Sequence, residues 1–258
     1  MSGADGPLAG RTAIVTGAGQ GVGRGIARAL ARRGAAVVLA ARRAETGEPA
    51  AAEIRADGGE ASCIVTDVTR RDSVEHCVAA TVEQNGGLDI MVHNAFQGGR
   101  AHRLEDVDDD LWATNSRTAV WGSYFSAQLA SPHLRRAGTR GRLLLITSPA
   151  GVEGSANIPI YGPVKAAQRA LAKSLAREWG AHGTTVNCLA PVAETPALTG
   201  AFAHNPVLKE RLEARTALRR IGDAERDIGS VAAFLASDDG GYVTGQTIVC
   251  DGGSFMGL

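Results

Sequence analysis

Short, predominantly apolar runs recur along this chain, each separated from the next by a longer stretch with helical spacing. The strand candidates are residues 12–15, 36–40, 61–65, 88–92, 142–147, 185–189 and 246–250. A strand with one wet face alternates apolar and polar residues. A strand that is apolar throughout is covered on both sides, which is the mark of a parallel sheet flanked by helices. The helical candidates between them cover about 21–33, 50–56, 73–84, 111–134, 161–179 and 227–236. In the fifth, Val164, Ala167, Leu171 and Leu175 fall near one face. The order predicts one α/β domain over 1–258, a doubly wound, mostly parallel seven-stranded sheet with helices on both faces. Residues 192–222 lack strand character and read as a substrate lid.

Charge and composition exclude several classes. Lys and Arg total 27 against 27 Asp and Glu, so there is no electrostatic reason to expect nucleic acid or an anionic membrane as partner. Aromatics make up 4%, too few for a stacking surface that binds single strands. No basic stretch followed by an apolar run opens the chain, and no window reaches about 18 uninterrupted apolar residues. A soluble cytoplasmic protein is the expectation. Cys63, Cys77, Cys188 and Cys250 form no C-x-x-C pair, and the six histidines show no H-E-x-x-H spacing. No metal site is expected.

The first strand runs straight into Thr16-Gly17-Ala18-Gly19-Gln20-Gly21-Val22-Gly23, which opens the first helix. In a doubly wound sheet this turn holds a pyrophosphate. Glycines let the backbone bend and approach, and the helix N-terminus offers free N–H groups and positive potential. The spacing is Gly-x-x-x-Gly-x-Gly rather than G-x-G-x-x-G. At the end of the second strand a carboxylate would hold a ribose 2′-hydroxyl, whereas a cation suits a 2′-phosphate. The chain reads Ala40-Ala41-Arg42-Arg43 there, with no acid before Glu45. That favours NADP(H) over NAD(H), with Arg42 as phosphate partner; the alternative is two arginines that merely face solvent.

Tyr161-Gly162-Pro163-Val164-Lys165 places a phenol and an ammonium one helical turn apart on the same face. Pro163 is tolerable in a first turn, where its missing N–H costs little. An adjacent ammonium would lower the tyrosine pKa toward working pH, as general acid–base chemistry requires. The chain has three tyrosines and three lysines, so chance supplies only about 0.03 such pairs. Ser148 lies just past the fifth strand, at the carboxyl edge where ligands of this architecture bind. Its hydroxyl can hydrogen-bond a substrate oxygen as charge develops there.

With these residues in order, the chain resembles the short-chain dehydrogenase/reductase family, of the small single-domain, Rossmann-like type with a Tyr-x-x-x-Lys site. The resemblance runs over essentially the whole length. Its elements are the loop from Thr16 to Gly23, Asp67-Val68, His93-Asn94-Ala95, Asn115, Ser148, Tyr161, Lys165, Val243-Thr244-Gly245-Gln246 and Asp251-Gly252-Gly253. The resemblance implies that Tyr161 exchanges a proton with the substrate oxygen and that Ser148 orients that oxygen. Lys165 would bind the nicotinamide ribose and lower the tyrosine pKa, and Asn115 would hold a water of the proton relay. Gly17, Gly19, Gln20, Gly21, Val22, Gly23, Arg42, Asp67, Val68, Asn94, Ala95, Pro191 and Thr195 would line the cofactor site. Within it, Asp67 would meet the adenine through its side chain, Val68 would pack near that ring, and Asn94 would lie close to the adenosine ribose. A homotetramer or dimer, assembled through the helices at 111–134 and 161–179, is implied as well.

Two departures from the family pattern stand out. Phe96 replaces a glycine after His93-Asn94-Ala95, and Val192 replaces a glycine after Pro191. Phe96 is either a substrate wall or packing. The substrate pocket is expected between Phe96-Gln97-Gly98, the segment from Pro149 to Val152, and the lid, which carries Ala197, Leu198, Phe202, Val207 and Leu208. Its apolar lining suggests a lipophilic alcohol or ketone. The alternatives are a 3-oxoacyl-thioester reductase, with Arg135, Arg136 and Arg140 as a carrier-protein patch, and a catalytically silent nucleotide-binding regulator.

Overall fold

The computed structural model describes residues 6–98, 102–156 and 158–256. In chain order its elements are β1 (Thr12–Thr16), α1 (Gly21–Ala31), β2 (Ala36–Ala41), α2 (Ala44–Ala56), β3 (Glu60–Val65), α3 (Arg71–Asn85) and β4 (Ile90–His93). Then come α4 (Asp109–Ser116), α5 (Gly122–Arg136), β5 (Arg142–Ile146), the single turn α6 (Ala150–Glu153), α7 (Tyr161–Trp179) and β6 (Thr185–Pro191). The chain ends with α8 (Pro196–His204), α9 (Pro206–Arg215), α10 (Ser230–Ala236) and β7 (Thr247–Cys250).

The seven strands form one sheet in the order β3-β2-β1-β4-β5-β6-β7, and every neighbouring pair is parallel. Successive side chains of a strand point to opposite faces. Val15, Val37, Leu39 and Leu144 accordingly join one core with Ile26, Leu30 and Ile54 from α1 and α2. Their neighbours Ile14, Val38, Leu143 and Leu145 join the other core, with Val78, Leu134, Ala172 and Trp179 from α3, α5 and α7. The order reverses between β1 and β4, and the carboxyl ends of these two strands open the crevice in which such sheets bind ligands.

Several elements differ from the sequence reading: α2 begins at Ala44 rather than near residue 50, and the helix expected over 227–236 is a π-helical turn at Ala224–Gly229 followed by α10. The long helix expected over 111–134 is interrupted by a π-helical turn at Arg117–Trp121, so α4 and α5 are separate segments. The carbonyls of Thr118 and Ala119 in this turn accept hydrogen bonds from His93 Nε2 (3.2 Å) and Gln168 Nε2 (3.4 Å). π-helical turns of this kind are concentrated near functional sites. The lid at 192–222 carries two helices, α8 and α9. Each opens with a proline at its first position, and Thr195 caps α8 by accepting from Leu198 N. The lid's base is closed where Ala193 pairs with Gly222.

Candidate active site

The phosphate loop leaves β1 through Gly17, whose φ of +66° disfavours any other residue. A Cβ on Gly23 would lie 2.4 Å from Asn94 Nδ2 and 2.5 Å from the Gly17 carbonyl oxygen. The Asn94 amide is what fills this space. It donates to the carbonyls of Thr16 (3.0 Å) and Gly17 (3.2 Å), pinning the loop to the end of β4. Thr16 Oγ1 reinforces the same junction by accepting from Asn94 N and Ala95 N. The N-terminus of α1 has no side-chain cap, so its N–H groups are free to meet an anion.

The loop forms one end of a cavity of about 610 Å³, lined also by Arg42, Arg43, Asp67, Val68, Asn94, Ala95, Phe96, Gln97, Tyr161, Lys165, Pro191 and Thr195. Asp67 is the one carboxylate among its lining residues. Its Oδ1 accepts from the backbone and hydroxyl of Thr69 (2.9 and 2.7 Å), so part of that charge is turned into its own loop. Arg42 and Arg43 lie at the same end. A glycine cradle, free helix N–H groups and two guanidiniums suit a dinucleotide, with the pyrophosphate on the loop.

At the other end stands Tyr161, the first residue of α7, whose hydroxyl feels the Ser148 hydroxyl, although Ser148 itself is not among the residues lining the cavity. Ser148 lies two residues beyond β5, and its Oγ also accepts from Ala150 N. Helix α7 is fastened to that strand end twice. Thr147 Oγ1 donates to the Lys165 carbonyl (2.8 Å), and Lys165 Nζ donates to the Ile146 carbonyl (2.8 Å). Lys165 is 2% exposed, and its burial lowers the ammonium pKa to about 7. Its Nζ lies 5.7 Å from the centre of the Tyr161 ring.

The expected lowering of the Tyr161 pKa is not what this geometry produces. Burial raises it, and the Ser148 hydrogen bond opposes that rise only in part. The physical reason is that Lys165 is itself desolvated and spends a hydrogen bond on Ile146, so the phenol is held neutral.

Phe96, either a substrate wall or packing on the sequence reading, touches both Tyr161 and Lys165. Its ring meets that of Tyr161 edge to face at 5.1 Å, and the Lys165 ammonium sits 4.8 Å from its centre. Gln97, expected beside the substrate, reaches instead to Arg42, whose Nη1 donates to Gln97 Oε1 at 2.5 Å. Pro149, Val152 and Phe202 are not among the residues lining the cavity, and Phe202 is 8% exposed. The lid presents Leu198 and Leu212 to the cavity, while Val207 is half exposed. A mostly apolar helix has more than one buried side, and sequence alone could not say which faced inward.

Asn115 also lies outside the lining. It is 1% exposed, its Nδ2 donates to the Leu111 carbonyl (2.9 Å), and its Oδ1 packs against Gly98. His93 is a functional-site neighbour whose part the sequence did not show. It is fully buried and neutral, its pKa driven down to about 3 mainly by desolvation and further by the Lys165 charge. Nε2–H donates to the Thr118 carbonyl and Nδ1 accepts from the Ser126 hydroxyl (3.1 Å), so His93 ties β4 to the turn that follows Asn115.

Comparisons with known proteins agree with this fold. Residues 17–254 match the family model described as enoyl-(acyl carrier protein) reductase. Gluconate 5-dehydrogenase from Gluconobacter oxydans is 36% identical, covering 97% of each chain. L-rhamnose 1-dehydrogenase (NAD(P)(+)) from Azotobacter vinelandii is 34% identical over 97% of this chain and 99% of its own. Tropinone reductase-like 3 from Erythroxylum coca is 33% identical over 95% and 93%. A solved structure described as a short-chain alcohol dehydrogenase, from Sinorhizobium meliloti, superposes with a TM-score of 0.89 at 37% identity, over 96% of this chain and 97% of that one. With a doubly wound parallel sheet, a glycine loop at its switch point and Ser148, Tyr161 and Lys165 at one strand end, this chain belongs to the short-chain dehydrogenase/reductase family, oxidoreductases that act on CH–OH and C=O groups with a nicotinamide cofactor.

Proposed function

We propose that this protein interconverts a lipophilic alcohol and its ketone with NADP(H), Tyr161 serving as the general acid and base. The observation that carries the reading is that Tyr161 and Lys165, one helical turn apart on α7, line the same cavity that begins at the phosphate loop, with the Ser148 hydroxyl acting on Tyr161 from just behind that lining. The nicotinamide, when bound, supplies or takes up the hydride. The protein's own part is to position and to move a proton. Ser148 holds the substrate oxygen, and the neutral Tyr161 phenol donates its proton to that oxygen as the carbonyl is reduced. In the reverse direction the Tyr161 oxygen accepts the alcohol proton. Lys165, anchored by Ile146, would hold the nicotinamide ribose, and Asn115 would hold a water of the proton relay.

The arginines Arg42 and Arg43, with no carboxylate beside them in the cavity lining but Asp67, support NADP(H) over NAD(H). Leu198 and Leu212 support an apolar substrate. A carrier-bound thioester is less well supported. Arg135 and Arg136 end α5 and Arg140 lies between it and β5, toward the amino edge of the sheet, whereas Ser148 and Tyr161 stand at its carboxyl edge. Arg140 is further engaged by Asp89 at 2.6 Å.

Tyr161→Phe tests the reading. Turnover in an NADPH-absorbance screen over ketones and alcohols is expected to be lost, while NADPH still quenches tryptophan fluorescence with a Kd within about threefold of the parent. Retained turnover on a substrate that the parent converts overturns the acid–base assignment.

A further inference from the structure

Arg42 and Gln97 meet across the crevice. Arg42 immediately follows β2, Gln97 lies beyond the end of β4, and β1 runs between those two strands. Their hydrogen bond therefore spans the carboxyl end of β1, over the start of the phosphate loop, and joins residues 55 apart in sequence. Both side chains are exposed and both line the cavity.

The chemistry of the pair is one-sided. A guanidinium has donors only, so the carboxamide must turn its oxygen toward Arg42. Its NH2 group is then presented beside the remaining guanidinium N–H groups. The result is a cluster of donors with net positive charge, which fits a phosphate better than a neutral hydroxyl. The bond also restrains Arg42, a side chain that otherwise loses substantial rotamer freedom when it engages a ligand. We propose that Gln97 is a specificity-determining residue for the cofactor: it holds Arg42 over the crevice and donates its own amide to the 2′-phosphate of NADP(H). The proposal rests on the NADP(H) reading above and adds to it a residue from a different strand end.

Equilibrium binding of NADPH and of NADH, followed by cofactor fluorescence without substrate, tests it on the full chain. Gln97→Glu places a carboxylate on Arg42 and opposite the phosphate, and it should weaken NADPH about tenfold or more while NADH stays within about twofold. Gln97→Leu keeps the bulk and removes both hydrogen bonds, and a roughly three- to tenfold loss specific to NADPH is expected. Arg42→Ala separates the two levels of the argument. If the parent prefers NADPH and Arg42→Ala abolishes that preference, but neither Gln97 variant changes the NADPH/NADH ratio, the role of Gln97 is overturned and the cofactor reading stands. If the parent does not prefer NADPH and Arg42→Ala leaves the ratio unchanged, both fall. Tighter NADPH binding by Gln97→Leu would make Gln97 a competitor for Arg42 and overturn the proposal as well.

Discussion

The Phe96 and Tyr161 rings meet in an edge-to-face pair at a centroid separation of 5.1 Å, Phe96 standing at the position where the family pattern has a glycine. Such a pair is worth about 0.5–1.5 kcal/mol beyond the area it buries. Phe96→Ala is therefore expected to lower kcat/KM about three- to tenfold, because Tyr161 loses the neighbour that fixes its ring, while NADPH affinity changes less than about threefold. Steady-state kinetics beside a binding titration distinguishes this from plain packing, for which both quantities would stay at parent values.

Because burial raises the Tyr161 pKa, the proton-donating phenol persists through neutral pH and the proton-accepting phenolate is scarce. Ketone reduction should not rise between pH 6 and 8, should soften above about pH 7 as Lys165 loses its proton, and should decline further at the alkaline end. Alcohol oxidation should climb with pH over the same range. Measuring kcat in both directions checks the sign, and a reduction rate that rises with pH would contradict it.

Stability should carry the signature of His93. Its folded-state pKa is about 3, against 6.5 for the free side chain, so the unfolded chain binds a proton between these values that the folded chain does not. Stability from this group is complete above pH 6.5 and is lost as pH falls toward 3, by about 1.4 kcal/mol per pH unit. His93→Asn removes that slope. Denaturant midpoints at pH 7 and pH 5 should converge in the variant relative to the parent, and equal slopes in both would refute the assignment.

Gly23→Ala drives a methyl group into the Asn94 amide and the Gly17 carbonyl. One of these contacts is backbone, so the loop itself must move. NADPH affinity should fall tenfold or more, and Tm by about 4 °C or more for a loss near 2 kcal/mol. Calorimetry and a binding titration read both; a variant with parent Tm and affinity would show that the loop yields freely.

The sheet, the phosphate loop and the Tyr161–Lys165 pair were legible in the sequence because each is local. Burial on both faces shows in a strand's composition, a βα turn is consecutive in the chain, and one helical turn is a fixed spacing. The lid helices left a signal too, a proline after Thr195 and another after Asn205, each at a helix's first position. The partners across the fold left none. Phe96 against Tyr161 and Lys165, Gln97 against Arg42, and His93 against Thr118 join residues from different strands and helices, and only the tertiary structure brings them together. The direction of the Tyr161 shift was decided there as well. Spacing places an ammonium near the phenol, but the free energy of each charge depends on how much water the packed chain leaves around it, and in this fold Tyr161 and Lys165 are both desolvated.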